Sequence, residues 1–303
     1  MLGFVTAEME SPVPDLRVRH VLVPVDGSEF ALQALPTARA LAERLDAELQ
    51  TVSVASAVDN ADRLRALAAA SIGVDAGDER VHVVSDDDPA EAIARRAAEL
   101  ESCVVCLTSH GRGRLRGAVV GSVARSVLQR SVEAMVALGP MADQPGWSPR
   151  PRSWPEPLSV PRIVACVDGS DTSEQVLPLA ASWARALDMS LTILTVVADV
   201  PEPLRPDQLP TRYGAGVAPE SYIESLVQQW GGILPSVDGE VVPDPISVAG
   251  GVRAHLNQRQ AGLVAVTTHA RSGLQRALLG AQAASIVQAS VAPCLVAPAT
   301  APA

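Results

Sequence analysis

The sequence predicts an α/β protein made of two tandem domains, each an open, twisted, five-stranded parallel sheet with helices on both faces. Three observations carry that expectation. Short apolar runs alternate with Ala- and Leu-rich stretches of helical period, the order produced by parallel strands crossed over by helices. The same alternation is written twice along the 303 residues. Finally, 48% of residues are hydrophobic but only 3% aromatic, a balance that suits strands buried on both faces beneath helices rich in small aliphatic residues.

In the first copy, His20–Val25 is a short apolar run closed by Asp26-Gly27-Ser28, a strand followed by a turn. Glu29–Leu45 repeats Ala and Leu at helical spacing, with Pro36 expected to kink it or end its first turns. Glu48–Val54 is the second strand, Asp62–Ala70 a helix and Val81–Val84 the third strand. Pro89–Leu100 is a helix with proline near its start, where a missing N–H matters least. Ser102–Thr108 is the fourth strand, Ser122–Arg130 a helix and Met135–Leu138 the fifth strand. The second copy repeats the pattern: Arg162–Val167, Glu174–Leu187, Ser190–Val197, Tyr222–Leu234, Glu240–Val242, Ser247–Gln260, Leu263–Thr268, Ala281–Gln288 and Cys294–Ala297.

The duplication is visible residue by residue. Asp26 to Val54 aligns without gaps on Asp168 to Val196 at an offset of 142, so that Asp-Gly-Ser, Pro36 and Leu45-Asp46 recur as Asp168-Gly169-Ser170, Pro178 and Leu187-Asp188. Thr108 to Gly139 aligns on Thr267 to Pro298 at an offset of 159, pairing Thr108, His110, Arg112, Gly121 and Ser131 with Thr267, His269, Arg271, Gly280 and Ser290. The difference between 159 and 142 is a 17-residue insertion in the second copy, around Pro201 to Val217. The expected domains are residues 18–140 and 161–299. Between them, residues 141–160 form a semi-rigid linker rich in proline, at Pro145, Pro149, Pro151, Pro155 and Pro157.

A net charge of −10 disfavours nucleic acid and anionic membrane surfaces as partners. No apolar run is long enough to cross a bilayer. The first 14 residues carry Glu8 and Glu10 and lack the basic start and apolar stretch of a signal peptide, so the expected location is the cytoplasm. Cys103 and Cys106 have the C-x-x-C spacing of redox and zinc sites, but they fall in an apolar strand. Residues three apart on a strand point to opposite faces, so a packing role is expected for both.

In open parallel sheets ligands bind beyond the carboxyl ends of the strands, where the strand order reverses. Two segments of the first copy should meet there. One is Asp26-Gly27-Ser28. The other is Thr108-Ser109-His110-Gly111-Arg112-Gly113-Arg114, continued by Gly121, Ser122 and Val123 at a helix start. Glycines let backbone N–H groups approach an anion closely, and a helix start adds unpaired N–H groups and positive dipole. Ser122 supplies a hydroxyl, and Arg112, Arg114 and Arg116 supply local positive charge. Asp26 is placed to accept ribose hydroxyls or to hold Mg²⁺ on a phosphate. Plainer roles stay open: Asp26 and Asp168 as helix caps, His110 and His269 as partners of loop carbonyls, the arginines as a solvated loop, and the glycines as turn formers.

With these residues in place the chain resembles the universal stress protein family. Nucleotide-binding members carry G-x2-G-x9-G-[ST] after the fourth strand. This chain reads T-x2-G-x9-G-S over Thr108, Gly111, Gly121 and Ser122, departing at the first glycine. The family's strand-one aspartate matches Asp26, its adenine-side backbone position matches Pro24, and its second-strand position falls at about Ser53 or Val54. The resemblance implies a Rossmann-like fold of the adenine-nucleotide α-hydrolase kind and ATP binding with Mg, without a settled enzymatic reaction. The second copy reads T-x2-A-x9-G-A over Thr267, Ala270, Gly280 and Ala281. A left-handed backbone at Ala270 would cost about 1 kcal/mol or more, and Ala281 has no hydroxyl.

The expectation is therefore an ATP-binding stress or regulatory protein. The first copy holds the nucleotide through Pro24, Val25, Asp26, Gly27, Ser28, Val54, Thr108, Gly111, Arg112, Gly113, Gly121, Ser122 and Val123. The second holds it more weakly through Val167, Asp168, Val196, Thr267, Arg271, Gly280 and Ala281. The alternatives are a nucleotide-independent interaction protein of the same fold and a slow ATPase. No nucleophile–base pair or carboxylate cluster stands out, no metal site is expected, and there is no G-x4-G-K-[ST] loop. The final strands of the two copies are apolar and should lie at sheet edges. Pairing them antiparallel within one chain would give a pseudo-two-fold unit; pairing them between chains would give a homodimer.

Overall fold

The structure is a computed structural model describing residues 13–55, 60–109, 121–130, 134–142, 161–197, 217–244, 246–268 and 281–298. In the first copy the elements are β1 (His20–Pro24), α1 (Glu29–Leu32), α2 (Leu35–Leu45), β2 (Glu48–Ala55), α3 (Ala61–Ile72), β3 (Val81–Ser85), α4 (Pro89–Glu99), β4 (Cys103–Thr108), α5 (Ser122–Arg130) and β5 (Met135–Leu138). In the second they are β6 (Arg162–Cys166), α6 (Asp171–Glu174), α7 (Val176–Ala186), β7 (Ser190–Val197), α8 (Pro219–Gly231), β8 (Val237–Pro243), α9 (Val248–Gln258), β9 (Leu263–Thr267), α10 (Ala281–Ala289) and β10 (Cys294–Ala297).

The strands form one sheet in the order β3-β2-β1-β4-β5-β10-β9-β6-β7-β8. Every neighbouring pair is parallel except β5 and β10, which run antiparallel with Ala137 opposite Cys294, Val136 opposite Leu295 and Met135 opposite Val296. Within each copy the chain winds outward from the first strand to the third, then returns to the other side of the first. That reversal puts the switch point between β1 and β4, and between β6 and β9.

Side chains alternate across the sheet, so each strand feeds two core layers. Val136, Leu138, Leu295 and Ala297 lie in one layer with α2, α7 and α8. Met135, Ala137, Cys294 and Val296 lie in the other with α4, α5, α9 and α10. Both layers run unbroken from one copy into the other. Gly139, just past β5, sits so close to α10 that an added Cβ would overlap the Val287 carbonyl oxygen. Residues ahead of β1 reach across as well: Val13 is buried, Ser182 Oγ on α7 donates to the Pro14 carbonyl at 2.7 Å, and Arg185 pairs with Asp15 at 2.8 Å.

Local chemistry sets the helix ends. Asp88 caps α4 by accepting from Ala90 N at 3.1 Å and Glu91 N at 3.2 Å, with Pro89 at the first position. The single helix expected over Glu29–Leu45 is divided, because the chain breaks at Gln33 and Ala34 and restarts with Pro36 in the first turn of α2, where no donor is missed. The same break recurs at Gln175, between α6 and α7. The helix expected from Tyr222 begins earlier, at Pro219, and the strand expected at Glu240–Val242 is the seven-residue β8.

Cys103 and Cys106 face opposite core layers, as their spacing on a strand requires, and both thiols are free. Burial pushes the Cys106 and Cys166 thiols well above their ordinary range and lifts Cys294 to about 12. These cysteines are inert packing groups.

Candidate functional site

β1 ends in a turn fixed by its own side chains. Val25 is buried; its N–H donates to the Val52 carbonyl at 2.8 Å, and its carbonyl accepts Ser53 Oγ at 2.7 Å. Pro24, level with Val52, is half-buried, and Val54 lies two residues further along β2. Asp26 Oδ1 then accepts from Ser28 N at 2.9 Å and Ser28 Oγ at 2.6 Å, while Ser28 Oγ caps α1 by accepting from Ala31 N at 3.2 Å. This arrangement requires the chain to reverse at Gly27, which has φ 79°, a left-handed conformation open to glycine at little strain. Asp26 therefore orders the turn through Ser28, and Ser28 rather than Asp26 caps the helix.

Beside it, β4 ends at Thr108, level with Leu138 of β5, and the Ser109 N–H donates to the Leu138 carbonyl at 2.7 Å. The chain returns at Gly121, whose N–H donates to the Ser109 carbonyl at 2.5 Å and whose carbonyl accepts Arg125 N at 2.9 Å in the first turn of α5. Ser122 and Val123, at the start of α5, are exposed, Val123 at 39%. First-turn N–H groups have no acceptor within their own helix. The fold thus brings the Asp26 turn and the α5 start to the ends of adjacent strands. Gly111, Arg112 and Gly113 lie outside the described residues, as do His110, Arg114 and Arg116.

On the other side of β1, toward β2, a cavity of about 250 Å³ is lined by Gly27, Asn60, Arg63, Leu64 and Leu67. Asn60 and Arg63 were not among the residues expected from sequence. The helix expected from sequence begins at Asp62, after Asn60, and only the packing of α3 beside the β1 turn turns these two residues toward a hollow.

The second copy repeats the turn with tighter packing. Asp168 Oδ1 accepts from Ser170 N at 3.0 Å and Ser170 Oγ at 2.6 Å, Gly169 has φ 80°, and Val167 N donates to the Leu194 carbonyl at 2.9 Å. Ser173, where the first copy has Ala31, donates its hydroxyl to the Ser170 carbonyl at 2.9 Å and accepts the Asp168 N–H at 3.1 Å. Thr267 Oγ1 is turned inward onto the Ser173 carbonyl at 3.3 Å. Val196 is half-buried near the end of β7, and α10 begins at Ala281. Arg271, Gly280, Ala270, His269 and most of the insertion lie outside the described residues.

Two polar clusters lie between the outer strands and the helices that cover them. In the first copy, Arg96 Nη2 on α4 donates to His82 Nε2 on β3 at 2.7 Å, and Arg96 also reaches Gln50 Oε1 at 3.2 Å. In the second, His255 Nδ1 on α9 meets Glu240 Oε2 on β8 at 2.5 Å, with Arg259 3.4 Å from Glu240. Glu240 is opposite Leu194 as His82 is opposite Val52, so the copies exchange a strand histidine and helix arginine for a strand glutamate and helix histidine. Burial holds both histidines below their ordinary range, and the Arg96 cation adds to this at His82. His255 Nε2 is buried with no hydrogen-bond partner among the described residues. Among the described residues there is no group of three or more His, Cys, Asp or Glu able to hold a metal, and no helix long and apolar enough to cross a membrane.

The comparisons with known proteins agree with this fold. The model of the universal stress protein family matches residues 17–136 and again 160–298. No curated protein matches the chain. A universal stress protein structure from Archaeoglobus fulgidus superposes with TM-score 0.61 and 15% identity over 95% of this chain and 99% of its own. One from Pseudomonas aeruginosa superposes with TM-score 0.59 and 16% identity over 93% and 94% of the two chains. At these identities the structures establish the shared fold.

Proposed function

Because the chain belongs to the universal stress protein family, with two tandem copies of its domain, we propose that it is a non-enzymatic adenine-nucleotide-binding protein with a regulatory, stress-related role in the cytoplasm. Its first copy is the principal binding site. The observation that carries this reading is the meeting of the Asp26-Gly27-Ser28 turn with the Gly121–Ser122 helix start at the ends of adjacent strands, at the switch point of the sheet. A nucleotide laid across the end of β1 would place its phosphates at the start of α5, where helix N–H groups favour anions. Its ribose would lie over Asp26, with Mg²⁺ carried on the phosphates as ATP enters.

Regulation would work through occupancy. With β5 paired to β10, one chain would serve as the counterpart of a dimer of single-copy domains, and nucleotide binding in the first copy would bias how that unit meets a second chain or another protein. The second copy would act mainly as a scaffold, a role favoured by the inward turn of Thr267 onto the Ser173 carbonyl.

The test is nucleotide released by heating the purified chain and identified by chromatography, followed by calorimetric titration with ATP, AMP and cyclic AMP. Binding of ATP that is lost in Gly121→Val supports the reading. A chain that binds no adenine nucleotide, or a Gly121→Val variant that binds ATP like the wild type, overturns it.

A further inference from the structure

We propose that Asn60, immediately ahead of α3, and Arg63, in its first turn, are the base-recognition residues of the first copy and give it a preference for adenine. The inference rests on nucleotide binding by that copy and adds which part of the ligand lies over α3 and what reads it.

Topology fixes the direction. The order β3-β2-β1-β4 places the start of α5 on one side of β1 and the start of α3 on the other. If phosphates lie at α5, the far end of the ligand lies over the β1–β2 side, where the cavity of about 250 Å³ is found. Its wall suits a flat, polar-edged ring. Leu64 and Leu67 provide apolar surface, Asn60 and Arg63 bring polar groups to it, and Gly27 completes the lining.

Both polar residues are available. Asn60 precedes α3 but makes no side-chain cap bond to it, although this is the usual use of asparagine there. An amide offers one donor and one acceptor side by side, the complement of an adenine edge; guanine presents two acceptors on the matching edge. Arg63 forms no ion pair among the described residues, whereas its neighbour Arg65 is engaged with the Val81 carbonyl at 3.3 Å. A planar guanidinium at the mouth of such a cavity can cover a purine face.

The second copy supplies the contrast. Its corresponding helix, α8, is preceded by Ala218 where α3 is preceded by Asn60. Its inward row of Tyr222, Leu226 and Trp230 has the four-residue spacing of Leu64, Ala68 and Ile72. In that register Ser221 stands for Arg63 and Tyr222 for Leu64. Tyr222 is 3% exposed, and its hydroxyl donates to Glu174 Oε1 at 3.0 Å, on the short helix α6 that follows the Asp168 turn. At the described positions the second copy therefore carries Ala218 and Ser221 in place of Asn60 and Arg63, and a buried tyrosine in place of Leu64.

Full-length chain carrying Asn60→Ala or Arg63→Ala would be titrated with ATP, GTP and adenosine, with thermal unfolding as the check that each variant is folded. Asn60→Ala should weaken ATP about tenfold and bring the ATP-to-GTP affinity ratio close to one. Arg63→Ala should weaken adenosine and ATP by the same factor, about fivefold, and Arg63→Lys should not restore it, because the plane is lost. An unchanged ATP-to-GTP ratio in Asn60→Ala overturns the inference. So does an Arg63→Ala variant that weakens ATP but not adenosine, since the arginine would then serve phosphate. If Gly121→Val abolishes ATP binding while both α3 variants bind normally, nucleotide binding stands and only base recognition by α3 falls; if the wild type binds no nucleotide, both fall.

Discussion

Replacing Gly139 by alanine tests how the two copies are joined. Gly139 follows β5, is buried, and has no left-handed φ, so alanine meets no backbone strain of its own. The obstacle is steric and lies in the other copy: the new Cβ would overlap the Val287 carbonyl oxygen, approach the Val287 carbonyl carbon to 2.9 Å, and touch Gln288 Cα at 3.5 Å. All three are α10 backbone atoms, which cannot rotate away as a side-chain tip can. Either α10 moves off β5 or the end of β5 moves off α10, and each opens the core layer holding Met135, Ala137, Val287 and Val296. Overpacking of this kind costs about 1–3 kcal/mol, and at about 2–4 °C per kcal/mol the expected fall in Tm is about 2–12 °C. Differential scanning calorimetry of the full chain reads it. Gly77→Ala is the control, because its Cβ meets nothing within 4 Å; it should leave Tm unchanged or slightly raised. A Gly139→Ala chain that unfolds within about 1 °C of the wild type would refute the close approach of β5 and α10.

Other expectations follow from the same geometry. Proline at Val136 or Leu295 removes a donor from strands paired on both sides, since β5 lies between β4 and β10 and β10 between β5 and β9; both variants should lose Tm or fail to fold, and a normal melting curve would contradict the pairing. The second copy should bind ATP at least about tenfold more weakly than the first, about 1.4 kcal/mol, so two equal sites per chain in calorimetry would refute the asymmetry. His255 is faced by Glu240, Asp238, Arg162 and Arg259, and His82 by Arg96, Arg65, Glu99 and Glu48. Both histidines have folded pKa values below the unfolded 6.5, so below that pH the unfolded chain binds more protons. The stability they contribute is fully present above pH 6.5 and falls as the pH drops through the folded values. His255→Gln should flatten that loss in urea titrations between about pH 5 and 7; a slope equal to the wild type's would refute the role of His255.

Much of the fold was legible because it depends on local pattern. The short apolar runs, the Ala-rich helical period and the two constant offsets marked the strands, the helices and the duplication, and the alternation of side chains along a strand put Cys103 and Cys106 on opposite faces. Asp-Gly-Ser announced its own turn, because an aspartate, a residue free to take φ near 80° and a capping serine are sufficient to build it. What sequence could not decide depends on approach between distant segments. It did not show that Gly139 is required by the backbone of α10, 148 residues away from it at Val287. Nor could it show that Glu240 and His255 take the places of His82 and Arg96, because strand register and helix rotation set that exchange. Asn60, Arg63 and Tyr222 carry no motif that sets them apart in the sequence. Their difference appears only when α3 and α8 settle against the β1 and β6 turns, because whether a side chain lines a hollow or fills it is a property of the packed surfaces on both sides, and a one-dimensional pattern records only one of them.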